Sequence, residues 1–123
     1  MNRREFESAV EEALDRLPLE FAELMSNIAI QVEESPDNAT MRDVGLDPRR
    51  DSLFGLYTGV PLPERSAFEP PLYPDQIYIF QQPLQEICDT VEELEEEIEI
   101  TVVHEVAHYL GIDEDRLTEL GYE

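Results

Sequence analysis

A chain of 123 residues with 41% apolar and 31% charged residues has the composition of a single globular domain spanning 1–123, and it excludes collagen-like, disulfide-framework and membrane-spanning classes. Its formal charge of −22, with all eight basic residues arginine, reads as solubility or adaptation to high salt; it is the opposite of what phosphate contacts require, so no nucleic-acid partner is expected. Cys88 is the only cysteine, the start MNRREFESAVEEAL is charged where a secretory signal needs an apolar run, and no apolar stretch approaches the roughly 18 residues of a membrane span, so a soluble cytoplasmic protein is expected.

In chain order, Phe6, Val10 and Leu14 recur at spacing four with Ala9, Ala13 and Leu17 beside them, predicting an amphipathic helix over residues 3–16 that Pro18 ends. A second short helical stretch is predicted from Pro18 to Met25. NIAIQV, residues 27–32, reads as a strand. Ser35 to Ser52 is rich in Asp, Asn, Arg, Pro and Gly without sustained periodicity and is expected to be a long surface loop. LFGLY, residues 53–57, reads as a short strand, Pro61 to Pro74 as an extended loop, and QIYIF, residues 76–80, as a second firm strand. A short helix is expected from Pro83 to Cys88. A long one follows, with Thr90 as N-cap and Glu93 completing a capping box.

The glutamates from Glu92 to Glu99 sit where negative charge suits the helix dipole, and they read as a solvated face. Beyond Ile100 the sequence ITVVHEVAHYL is apolar nearly all round, so this half is expected to be buried. Its polar groups are Thr101, His104, Glu105, His108 and the tip of Tyr109. Burying imidazoles and a carboxylate without partners costs several kcal/mol, and a bound cation would offset that cost.

His104 and His108 are the two histidines of the chain. At i and i+4 of a helix they share a face with Cβ atoms roughly 6 Å apart, so both rings can reach one metal at about 2.0 Å. On a strand the same spacing would span roughly 13 Å. Glu105, turned about 100° from His104, stands beside such a metal, where a general base belongs. The chemistry implied is zinc-assisted hydrolysis of an amide, with one Zn2+ per chain and a peptide or protein as substrate. A third ligand must be near, because few residues follow His108. Gly111 can end the helix in a left-handed conformation and turn the chain back, and three residues further stands Glu114, flanked by Asp113 and Asp115, either of which can substitute if the turn is one residue out of register.

The pattern HExxHxxGxxE resembles the metzincin signature with a carboxylate in place of the third histidine. The stretch TVVHEVAHYLGIDEDRLTELGY resembles more specifically the bacterial minimal-zincin family, small MMP-like metallopeptidases built on HExxHxxGxxD. NIAIQV, LFGLYTGVPLPERS and the QIYIF strand before an acidic helix extend the resemblance over most of the chain. It implies His104 and His108 as zinc ligands, Glu105 as catalytic base and Glu114 as third ligand, where the family pattern has aspartate. The metzincin methionine turn is absent, since Met1, Met25 and Met41 all precede the helix.

The fold expected is α+β: a minimal zincin-like arrangement with a small mixed sheet of about three strands packed on the N-terminal helix and the long HExxH helix. A peptidase also needs a strand edge to hold substrate backbone, offered by Leu53 to Tyr57 or Gln76 to Phe80, and an oxyanion donor, for which Tyr57, Tyr73, Tyr109 and Arg65 are candidates. The alternative is a non-catalytic, metal-stabilised interaction domain that retains the HExxH helix.

Overall fold

The computed structural model describes residues 1–17, 19, 23, 25, 28–58, 75–111 and 114–119, without the side chains of residues 109, 110, 114 and 117. Its elements, in order, are α1 (Arg3–Asp15), β1 (Ile28–Glu33), α2 (Asn38–Asp43), β2 (Gly55–Thr58), β3 (Asp75–Phe80), α3 (Gln81–Ile87), α4 (Val91–Leu110) and α5 (Glu114–Glu119). Of the predicted helix from Pro18 to Met25 only Leu19 and Glu23, both helical, and Met25, in a 3-10 turn, are described, and the loop from Pro61 to Pro74 lies outside the described residues.

Both long helices form for the reasons their sequences contain. Asn2 caps α1 by accepting from the Glu5 N–H at 2.8 Å, and the four-residue apolar repeat buries Phe6, Ala9, Val10 and Ala13. Thr90 caps α4 by accepting from the Glu93 N–H at 3.1 Å. The reciprocal bond of the capping box goes one residue further out, from the Asp89 N–H to Glu93 Oε2 at 3.1 Å. Gly111, at φ 74° and ψ 25°, closes α4 in the left-handed region, as its position three residues past His108 predicts.

The sheet has three strands in the order β1-β3-β2. β1 runs parallel to β3, with Ile30 opposite Ile77, and β2 runs antiparallel to it, with Tyr57 opposite Ile77. Ile77 and Ile79 are fully buried. Their face also carries Ile28, Ile30 and Val32 of β1 and Gly55 and Tyr57 of β2. On it lies the main core, where Phe6, Ala9, Val10 and Ala13 of α1 meet Leu94, Ile98, Val102, Val103, Val106 and Ala107 of α4. An ion pair between Arg16 and Glu95 joins the same two helices nearer the surface. The molecule is thus α+β, with helices packed on a small mixed sheet.

Two expectations need correction. Residues 35–52 are not all loop: Asp37 accepts from the Thr40 N–H at 2.7 Å and Met41 is buried, so one cap and one apolar anchor suffice for the short helix α2. Gly45, at φ 85°, then ends it. The QIYIF segment is not a free edge, because β3 is the central strand with a partner on each side. Of the two expected segments the edge is β2, which, like β1 across the sheet, is paired on one side among the described residues.

Candidate functional site

His104, Glu105 and His108 all lie on α4, in the half whose apolar neighbours Val102, Val103, Val106 and Ala107 are fully buried. The three polar side chains differ in surroundings. His104 is half-buried, and among the described residues its Nε2 atom is buried with no hydrogen-bond partner, although the residue is engaged through other contacts. The Glu105 side chain is 12% exposed, whereas that of His108 is 59% exposed. Nδ1 of His108 lies 3.3 Å from Oε2 of Glu105.

The same Oε2 accepts a hydrogen bond of 2.8 Å from the backbone N–H of Tyr57 on β2. Phe54 O accepts from Phe80 N at 2.9 Å, so Phe54 faces β3; by the alternation of an antiparallel ladder Leu56 and Thr58 do the same, and the amide groups of Gly55 and Tyr57 face outward. The edge strand thus lends one outward N–H to the carboxylate of the helix.

This contact needs α4 and β2 to lie unusually close. A Cβ built on Gly55 would stand 2.5 Å from Cγ2 of Thr101, 3.1 Å from the Tyr78 carbonyl oxygen and 3.5 Å from Cγ of Glu105. Thr101 and Glu105, one turn apart, therefore form a seat that only glycine fits. Thr101 is held in place by its hydroxyl, which donates to Glu97 O at 2.8 Å. Sequence reading passed over this arrangement, although a glycine inside a strand pattern is a signal of close backbone approach.

The remaining candidates are placed unevenly. Glu114 is the first residue of α5, and its side chain lies outside the described residues, as do Asp113 and the side chain of Tyr109. Asp115 is exposed on α5. Tyr73 and Arg65 lie outside the described residues. Tyr57 contributes its backbone amide, while its side chain packs against the core. Among the described residues no three His, Cys, Asp or Glu side chains converge to hold a metal ion. Cys88 stands apart from this cluster; burial, followed by the charges of Glu97, Glu93 and Asp89, pushes its thiol pKa up and makes it a poor nucleophile.

The donor set suits zinc. Two imidazoles on successive turns of one uninterrupted helix, with a carboxylate-bearing residue just past the Gly111 turn, offer the nitrogen and oxygen ligands that zinc takes in four-coordinate sites. Among the described residues no helix is long and apolar enough to cross a membrane.

Comparison with known proteins places the chain. A conserved hypothetical protein from Thermo thermophilus has a solved structure that superposes with a TM-score of 0.56 at 21% identity, covering 98% of this chain and 97% of that one, which shows a shared fold. No curated protein matches. The family model described as zincin-like metallopeptidase matches residues 25–122, a span that holds β1, the edge strand β2 and the whole of α4 with its two histidines. The chain belongs to the zincin-like metallopeptidase family.

Proposed function

We propose that the chain works as one domain and hydrolyses peptide bonds in peptide or protein substrates, with His104, His108 and Glu114 holding one zinc ion and Glu105 acting as general base. The observation that carries this reading is the position of the Glu105 carboxylate, between the outward edge of β2 and the ring of His108. It is the one place among the described residues where a base, an imidazole and an open strand edge meet.

Zinc, when bound, supplies a Lewis acid that polarises a scissile carbonyl and makes a water more acidic. The protein's own groups do the rest. Glu105 would take a proton from the water as its oxygen bonds to the carbonyl carbon, and would then return that proton to the amide nitrogen, so that the C–N bond breaks and the amine departs. The low exposure of Glu105 limits competing solvent, and the Tyr57 amide keeps the carboxylate from swinging away. A substrate backbone laid along β2 would pair through the outward groups of Gly55 and the carbonyl of Tyr57.

Incubating the zinc-loaded protein with a mixed peptide pool tests this. Cleavage that falls by roughly two to four orders of magnitude in Glu105→Gln is the expected result. Equal cleavage by the variant would remove Glu105 from the mechanism. Zinc binding without any cleavage would move the chain to a metal-stabilised interaction module.

A further inference from the structure

The geometry points to Gly55 and Thr101 as positioning residues: their close contact brings β2 down onto α4, so that the Tyr57 amide holds the carboxylate of Glu105. The inference rests on the peptidase reading for its catalytic consequence, but the anchor itself is a property of the protein without metal.

Three observations join. The 2.8 Å bond from Tyr57 N–H to Glu105 Oε2 links residues 48 apart in sequence, so it depends on how the two elements seat and not on local structure. The seat is Gly55 against Thr101, where an added methyl would meet Cγ2 at 2.5 Å, a separation that real side chains do not tolerate. Finally, the amide involved belongs to the outward row of an edge strand, a group with no use inside the sheet. A neutral amide donating to a carboxylate is a charge-assisted bond, stronger than a neutral one, and it fixes the side chain that must meet water and substrate. Without it Glu105 has rotamers that turn away from the strand, and a displacement of about 1 Å at a reacting group can cost roughly a hundredfold in rate.

Amide hydrogen exchange on the metal-free protein reads the anchor directly. In Glu105→Ala the Tyr57 amide is expected to exchange about tenfold faster or more, while Leu56 and Thr58, bonded into the sheet, keep their protection. If Tyr57 remains as protected as before, the anchor is wrong. Gly55→Ala is expected to give the same loss at Tyr57. In the zinc-loaded protein it should lower kcat about 10- to 100-fold with KM little changed and zinc content intact. Adding Thr101→Ser removes Cγ2 but keeps the hydroxyl bond to Glu97 O, and the double variant should regain most of both losses; the residual reflects the 3.1 Å approach to the Tyr78 carbonyl. Failure of Thr101→Ser to restore either quantity in a folded protein overturns the assignment. If the Tyr57 amide tracks these variants while no peptide is cleaved, the peptidase reading fails and the anchor stands.

Discussion

The two halves of α4 are built from one continuous helix yet obey different rules. In the first half, Leu94 and Ile98 face the core, Val91 is 48% exposed, and the glutamates between them sit at or near the surface. Their charges lie near the helix start, where the dipole favours them, and water satisfies the rest. In the second half Val102, Val103, Val106 and Ala107 are all fully buried, and the polar residues among them have specific neighbours: Thr101 seats Gly55, and Glu105 meets Tyr57 and His108. A carboxylate on the first half is one of many on a wet face. A carboxylate on the second half has been placed.

Substitutions can break that contrast or sharpen it. The largest stability effect should come from the apolar stripe that both halves share: Ile98→Ala deletes a fully buried side chain and is expected to cost about 2–5 kcal/mol in urea unfolding. A loss below about 1 kcal/mol would mean that the two halves are not joined by one packed core. Next comes the start of the helix. Thr90→Ala removes the acceptor for the Glu93 N–H and should cost about 1 kcal/mol, with the exchange protection of the Glu93 amide falling while those of Val103 and Val106 hold. Loss at both ends together would show that the helix frays as a unit.

The smallest effect lies on the pH axis, at a side-chain cap built in the same way. Asp37 has its pKa lowered, first by the hydrogen bond from the Thr40 backbone and then by that residue's side chain. Its charged form is therefore favoured by folding, so its contribution is present above the ordinary value of 3.8 and is lost as the pH falls through the depressed folded value. Asp37→Asn should flatten the stability profile slightly in that acid window, while Thr90→Ala leaves the profile's shape unchanged. An unchanged acid limb in Asp37→Asn would remove the cap from the account.

How much of this was legible beforehand follows from how local each cause is. The termini of α4 were readable because a threonine three residues before a glutamate and a glycine three residues after His108 act over one turn. That HEVAH lies on one uninterrupted helix, with its two histidines a turn apart, was readable because the helical period is local. The helix α2 was missed because it rests on Asp37 and on the burial of Met41, and burial is a property of the folded chain. The role of QIYIF as centre strand depends on which strands flank it, and periodicity carries no strand order. The seat of Gly55 on Thr101 joins residues 46 apart, so no window of sequence contains it.

The central claim is that the second half of α4 is a zinc site with its base alongside, and metal analysis of the purified, zinc-supplemented protein tests it most directly. About one zinc per chain is predicted for the wild type and for Glu105→Gln, and none for His104→Ala. A wild-type protein that stays metal-free, or a His104→Ala variant that holds zinc as the wild type does, would contradict it.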